Sequence, residues 1–237
     1  MKKILTTAIL CAGLVGFTAC DSFLDEDPKS SLTLDTYYKT SADIIGNVNY
    51  LYRDGAPDKM GNMTGAYRGS SLSVMNMVTG YFVNEYEGQE VDCSYARQLN
   101  RQDFTQSCCN YLTNNTWKDC YKSINVANAV IKYVDGVEMD NQAQYKAEAR
   151  FFRALNYFYL VKMFGDVPMV TEPTEDATLV DYPARTAASE VYSTIIIPDL
   201  LFAVENLPNA TFAGNSHRVT KYAADMLLAD VYMRLGE

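Results

Sequence analysis

The sequence feature that most constrains the fold is a pattern of small and aromatic residues that occurs twice. Two alanines, a tyrosine and a leucine follow one another at spacings of 5, 3 and 3, and the same types return 75 positions later (149 to 224). The two sets are Ala149, Ala154, Tyr157, Leu160 and Ala224, Ala229, Tyr232, Leu235. Alanine lets two helices approach closely, and aromatic side chains fill the space between them. Each set therefore predicts a helix packed against a neighbour.

Apolar periodicity extends this prediction to five helices. Their expected ranges are about 36–52, 116–134, 143–164, 187–206 and 218–235. Thr116 is the expected N-cap of the second helix, and Gly165 is the expected end of the third. Pro198 lies within the fourth and predicts a kink or a fresh start there, since it removes one helical hydrogen bond.

The helices are expected to form pairs that resemble tetratricopeptide repeats. The period of 75 is far longer than the usual repeat of about 34 residues, so each pair must carry long connections. Residues 53–115 are rich in Gly, Asn, Ser and Tyr and predict loops with a short helix near 71–78. The sequence thus predicts a mostly all-α fold of tetratricopeptide-like helix hairpins with long, irregular loop insertions.

The third helix is unusually aromatic, and most of it lies in the stretch AEARFFRALNYFYLVKMFGDVP (147–168). It is too continuously apolar for a surface helix, and Arg and Lys interrupt it too often for a membrane span. We expect its aromatic side chains to lie in the core. Arg150, Arg153 and Lys162 are expected to point to solvent or to partners.

The N-terminus has the pattern of a bacterial lipoprotein signal. Lys2 and Lys3 precede an apolar stretch, and small residues lead directly to Cys20. We interpret residues 1–19 as a signal peptide and Cys20 as the lipidated residue; a plain secretory signal is the alternative. Residues 20–35 then form an acidic tether, residues 36–115 a helix and loop-rich region, and residues 116–237 two helix hairpins.

Charge and cysteine content restrict the function further. The net charge of −9 disfavours binding to nucleic acid, because phosphate backbones would be repelled. Once Cys11 is removed with the signal peptide and Cys20 is lipidated, four cysteines are left: Cys93, Cys108, Cys109 and Cys120. In an exported protein they could form disulfides of three possible pairings, or remain free buried thiols.

Five segments of the chain together resemble the SusD/RagB family of glycan-binding outer-membrane lipoproteins from Bacteroidetes. They are CDSFLDEDP, TWKDCYKSINVANAVI, AEARFFRALNYFYLVKMFGDVPMVTEP, IIIPDLLFAVENLP and VTKYAADMLLADVYMRLGE. The acidic residues after Cys20 also resemble a surface-export tag, although a solvated tether is equally consistent. Family members are considerably longer, and Pro198 departs from the family's intact helix.

The resemblance implies a partner and a location. Such a protein would sit in the outer membrane through its lipid, facing the cell exterior, over a SusC-like TonB-dependent transporter. It would capture an oligosaccharide and pass it inward without catalysis.

Sugar binding requires flat aromatic faces beside amide or charged groups. The residues with this chemistry are Tyr81, Asn84, Tyr86, Tyr95, Arg97 and Asn100. Phe82 and Tyr81 could instead be core residues. Trp117 is expected to be packed within the helices, and His217 is expected in the loop before the fifth helix.

The sequence offers little support for catalysis or for a metal. It contains no GxSxG, HExxH, Walker or EF-hand pattern. Glu85, Glu87, Glu90 and Asp92 are interpreted as a solvated loop face rather than a glycosidase pair. Asp92 could contribute to a Ca²⁺ site, for which one acidic cluster is weak evidence. The alternative function is a helical-repeat scaffold of the outer membrane with no small ligand, and a hydrolytic surface enzyme is a weaker third.

Overall fold

The computed structural model describes residues 33–53, 78–83, 97–103, 107–174 and 183–236. Within these ranges the chain is mainly helical, with one small antiparallel sheet. The helices are α1 (Leu34–Tyr37), α2 (Ser41–Arg53), α3 (Ser107–Tyr133), α4 (Gln142–Phe164), α5 (Ala188–Val191), α6 (Ile197–Asn206) and α7 (Lys221–Leu235). The strands are β1 (Val167–Pro168) and β2 (Arg185–Thr186). The predicted mostly all-α class is confirmed.

The first predicted helix is in fact two helices, α1 and α2, separated by residues 38–40. The break is stabilised at Thr40, whose backbone N–H and hydroxyl donate to Asp43 Oδ2 at 2.8 and 2.7 Å. These bonds satisfy groups at the helix start in the manner of a capping box. The hydrogen bonds to Thr40 hold the pKa of the Asp43 carboxyl below its usual value. The expected inward residues Ile44, Val48 and Leu51 are fully buried, whereas Tyr37 is exposed and Tyr38 is buried in its place.

Helix α3 begins nine residues before its predicted start (107 against 116). Thr116 is therefore not an N-cap; it is a fully buried residue inside the helix. The Asn and Thr residues just before Thr116 have low helix propensity, and they suggested that the helix begins there. Tertiary context overrides this local preference, and the helix begins earlier. Residues 97–100 are also helical, so the loop-rich region contains more helix than its composition predicts.

Helix α4 is the centre of the fold and packs against α2, α3 and α6. Its bounds agree with the prediction, and Gly165 follows it with a φ of 68°, a conformation that glycine adopts at low cost. Ala149, Ala154, Tyr157 and Leu160 are all fully buried, as expected. In the second set only Ala224 is buried, while Ala229 is exposed and Leu235 is 39% exposed.

Pro198 lies at the start of α6, as a fresh start requires. It is preceded by a π-helical turn, Tyr192–Ile196, in which the Ile197 N–H donates to the Tyr192 carbonyl five residues earlier. Such turns widen a helix by one residue. The segment 188–206 is therefore continuous in direction but not a regular α-helix.

The prediction that the charged residues of α4 point to solvent or to partners is wrong for Arg153. Arg153 does not point to solvent: its guanidinium is bonded within the protein, with Nε and Nη2 2.6 and 2.9 Å from the Asp199 carboxylate on α6. Its Nη1 donates to Asn128 Oδ1 on α3 at 2.9 Å. Burial raises the pKa of the Asp199 carboxyl, and the bonds and charge of Arg153 offset only part of that effect. The pair joins α3, α4 and α6.

A second buried carboxylate, Glu148, joins the other side of α4 to α2 and to the segment before α7. Its oxygens accept from Arg218 Nε and Nη2, with a shortest distance of 2.6 Å. The Tyr52 hydroxyl donates to Glu148 at 2.8 Å and accepts from the Val219 N–H at 3.0 Å. Burial would lower the pKa of Arg218, but its hydrogen bonds and attraction to Glu148 outweigh this and raise it.

The Cys120 side chain is fully buried on α3. This placement favours the alternative of a buried thiol for this residue. Cys93 lies outside the described residues, and so do the side chains of Cys108 and Cys109.

Candidate functional site

Two short segments of the loop-rich region, 78–83 and 97–103, form the part of the predicted glycan site that the structure describes. Asn100 Nδ2 donates to the Phe82 carbonyl at 2.6 Å, and Gln102 Nε2 donates to the Val78 carbonyl at 3.3 Å. Leu99, directly before Asn100, is fully buried and anchors its segment. Two side chains from one segment thus hold the backbone of the other.

The supported segment carries exposed aromatic rings. Tyr81 is 89% exposed and Phe82 is 55% exposed. The alternative that these residues belong to the core is therefore contradicted. Gly80 permits the preceding turn, because its φ of 77° suits glycine. We call Tyr81, Phe82, Arg97 and Asn100 the aromatic patch.

The predicted site residues divide into two groups. Tyr81, Arg97 and Asn100 lie in the two joined segments, although Asn100 supports the backbone as well as adding an amide to the surface. Asn84, Tyr86 and Tyr95 lie outside the described residues, as do Cys20, the acidic residues 85–92 and all of the predicted helix at 71–78 except Val78. Gln102 is a supporting residue that the sequence did not reveal, because its acceptor lies 24 positions away.

Trp117 and His217 are placed as expected. The Trp117 indole is partly buried against Phe164, with ring centroids 5.1 Å apart, and the Arg185 guanidinium lies 5.6 Å from its centre. His217 lies in the loop before α7 and its ring contacts Phe212. Neither residue offers a free face comparable to that of Tyr81.

Helix α7 presents a second exposed apolar surface. Tyr222, Met226, Ala229 and Met233 follow one another at spacings of 4, 3 and 4, so they line one side of the helix. Tyr222 is 54% exposed, Met226 76% and Met233 73%. We call these four residues the α7 stripe.

The described residues limit two other kinds of function. No helix among them is long and apolar enough to cross a bilayer. Within the same residues, no three His, Cys, Asp or Glu side chains are grouped as metal ligands.

Comparison with known proteins identifies the family. Residues 22–233 match the SusD-like family that is described as starch-binding and associating with the outer membrane. The chain belongs to the SusD-like family.

SusD-like relatives from Bacteroidetes agree with this assignment. SusD-like protein P2 of Formosa agariphila is 30% identical over 240 residues, which cover 100% of this chain and 44% of the relative. A SusD-like protein of Bacteroides ovatus is 28% identical over 97% of this chain and 38% of its own length. The chain therefore spans less than half the length of these relatives.

Solved SusD-like structures share the fold. A SusD superfamily protein from Parabacteroides distasonis has a TM-score of 0.62 at 26% identity, over 85% of this chain and 40% of the other. A laminarin-binding SusD-like protein has a TM-score of 0.68 at 24% identity, over 84% and 41%. A structure described with a xylogluco-oligosaccharide has a TM-score of 0.57 at 24% identity, over 80% and 34%. At 24% identity, the similarity of the last two structures to this chain shows a shared fold alone.

Proposed function

We propose that this chain binds glycans at the cell surface through the aromatic patch and carries no catalytic activity. The observation that supports this most directly is the exposure of Tyr81 and Phe82 on a backbone held by Asn100 and Gln102. An exposed aromatic ring costs free energy in water, and stacking on the C–H face of a pyranose removes that cost. Because the supporting bonds fix the backbone in advance, little ordering is needed when ligand binds.

The family description and two relatives point to the same ligand class. The family is described as starch-binding, one structural neighbour is described as laminarin-binding and another was solved with a xylogluco-oligosaccharide. Starch, laminarin and the xylogluco-oligosaccharide are all neutral polysaccharides or fragments of them. We therefore place a neutral glucan first among the candidate ligands.

Replacing Tyr81 tests whether the aromatic patch binds glycan, and another exposed tyrosine, Tyr222, provides the matched control. Affinity electrophoresis and calorimetry against starch, laminarin and xyloglucan should detect binding by the intact mature chain. Tyr81→Ala should weaken it about tenfold, since one stacking contact of about 1–1.5 kcal/mol is lost. Tyr222→Ala removes a 54% exposed ring elsewhere and should leave affinity unchanged. Equal losses in both variants would contradict the assignment to the patch.

The proposal extends to anchoring and delivery. Cys20 would carry the lipid that holds the chain to the outer membrane, with the body facing outward, and a SusC-like TonB-dependent transporter would receive the glycan. Cys20→Ala should move the protein from the detergent phase to the aqueous phase in Triton X-114. Unchanged partitioning would contradict lipidation. Co-purification with a SusC-like protein would test the delivery step.

The α7 stripe favours a second candidate function, a helical scaffold that assembles envelope proteins without a small ligand. Four aligned apolar side chains on an exposed helix face are typical of helix-mediated contacts. Absence of binding to every glycan, combined with retained transporter association that depends on Met226 and Met233, would favour the scaffold. Glycan binding that is insensitive to Met226 and Met233 would favour the first proposal.

A further inference from the structure

An open pocket lies at the start of helices α2 and α4, on residues that the aromatic patch does not include. Its volume is about 630 Å³, within the range of small-molecule sites. Ser41 and Ile45 line it from α2, and Tyr145 lines it from the first turn of α4. The connection between α3 and α4 supplies Glu138, Met139, Asp140 and Asn141.

The walls of this pocket are held in place by hydrogen bonds. Gln142 Nε2 donates to the Val134 and Val137 carbonyls at 2.7 and 3.0 Å, which closes the connection onto the start of α4. Val134 and Val137 are buried, so this connection is attached to the core. On the opposite side, the Thr40–Asp43 bonds fix the first turn of α2. The pocket is therefore preformed and does not depend on a mobile loop to shape it.

One part of the pocket wall is apolar. Ile45, Met139 and Tyr145 are partly buried, and each contributes surface to the pocket. The Arg218 guanidinium lies 5.2 Å from the centre of the Tyr145 ring. Because Arg218 is itself bonded to the buried Glu148, this contact fixes the ring. The apolar wall can receive the C–H face of a sugar ring, as an aromatic side chain does elsewhere.

The remaining wall supplies hydrogen-bonding groups of both kinds. The carboxylates of Glu138 and Asp140 accept, while the Ser41 hydroxyl and the Asn141 amide both donate and accept. Asn141 has a left-handed backbone, with a φ of 57°, and its side chain does not cap α4. A sugar hydroxyl also donates and accepts at once, so neighbouring hydroxyls match this mixture.

Charge narrows the ligand class. Two carboxylates and no basic side chain line the pocket. An anionic ligand such as a phosphate or a uronate would be repelled by these carboxylates. A neutral, hydroxyl-rich ring satisfies the acceptors through its O–H groups without bringing a charge.

We propose that this pocket is a second binding site, specific for a single residue or short fragment of a neutral sugar. The inference rests on the proposed function, since it assumes that glycans are the ligands of this protein. Beyond the proposed function, the inference places a sugar site on the helices themselves. It also gives a chemical reason why this site would select neutral over acidic sugars.

The experiment is a titration of the ¹⁵N-labelled mature chain with glucose, maltose and laminaribiose, followed by amide chemical shifts. Saturable shifts of amides in residues 138–145 are expected, and glucuronate should give none. Glu138→Gln with Asp140→Asn should weaken binding about tenfold, because each removes a charge-assisted acceptor. The control with the same charge change is Glu190→Gln with Glu205→Gln, at exposed sites outside the pocket. Asn141→Gly retains the left-handed backbone, removes the amide and should also weaken binding.

Several results would overturn the inference. Sugars that leave amides 138–145 unshifted would overturn it, as would equal weakening by the control pair. Calcium chloride shifting these amides while sugars do not would assign the pocket to a cation. If starch or laminarin binding depends on Tyr81 while the amides of residues 138–145 do not shift, this inference alone is overturned and the proposed function stands. Absence of all glycan binding would overturn both.

Discussion

Arg153 and Asp199, 46 positions apart in the chain, form a bidentate ion pair in the core, with Nε–Oδ2 and Nη2–Oδ1 distances of 2.6 and 2.9 Å. The pair connects the central helix α4 to the start of α6. Asn128 extends it to α3 and, through its Nδ2, to the Val170 carbonyl at 3.0 Å. The segment after β1 is thus fixed to the same polar cluster as three helices.

Breaking this pair should destabilise the fold strongly. Asp199→Ala leaves the buried Arg153 charge uncompensated, and we expect a loss of about 3–5 kcal/mol in the free energy of unfolding by urea. The control is Asp230→Ala, which removes a partly exposed carboxylate 3.9 Å from Arg234 and should cost less than about 1 kcal/mol. The double variant Arg153→Met with Asp199→Leu should lose less than Asp199→Ala, since it removes the Arg153 charge together with its partner.

Tyr52→Phe should reduce stability by about 1–3 kcal/mol, because the Val219 N–H and the buried Glu148 lose the same hydroxyl partner. Tyr222→Phe removes a hydroxyl from an exposed ring and should change the free energy of unfolding by less than about 0.5 kcal/mol. Equal effects in a chemical denaturation series would contradict a structural role for the Tyr52 hydroxyl.

The Thr40–Asp43 cap predicts a specific pH dependence. The pKa of Asp43 is lower in the folded chain than in the unfolded chain, so its contribution is present above the ordinary carboxyl value of about 3.9. That contribution is lost as the pH falls through the folded pKa. NMR titration of the Asp43 carboxyl should place its midpoint below that of a free aspartate. Thr40→Ala should move the midpoint upward; an unchanged midpoint would show that Thr40 does not cause the shift.

Cys120 should resist alkylation in the folded chain, because its side chain is buried on α3. Iodoacetamide followed by peptide mass spectrometry should label it only after urea unfolding. Prompt labelling under native conditions, or recovery of Cys120 in a disulfide-linked peptide, would contradict this placement.

The α7 stripe should contribute to association and not to the stability of the fold. Met226→Gln with Met233→Gln replaces side chains that are more than 70% exposed, so the free energy of unfolding should change by less than about 1 kcal/mol. Binding of a hydrophobic dye and co-purification of a SusC-like partner should both fall. Val231→Gln is the contrasting variant on the same helix: Val231 is fully buried, and its replacement should destabilise the fold by several kcal/mol.

The sequence predicts the parts of this fold that depend on local periodicity. Ala149 and Tyr157 are identified as core residues because helix geometry repeats every 3.6 positions. Arg153 is missed because a charged residue is normally exposed, and only the distant Asp199 makes its burial tolerable. Thr116 is misassigned for a related reason, since a local capping signal cannot reveal that packing continues the helix. At the candidate site the types of residue are predictable, but the support of Phe82 by Asn100 is a long-range contact.

The π-helical turn at 192–196 has a consequence for comparing sequences. The turn holds about one residue more than an α-helical turn, so removing one residue from it would restore a regular α-helix and leave the Asp199 carboxylate facing Arg153. A relative with a one-residue gap at this turn can therefore keep its acidic residue in the same column and form the same ion pair. A one-residue gap elsewhere between α5 and Asp199 would instead turn α6 by about 100° and mark a protein whose α4 and α6 are joined differently.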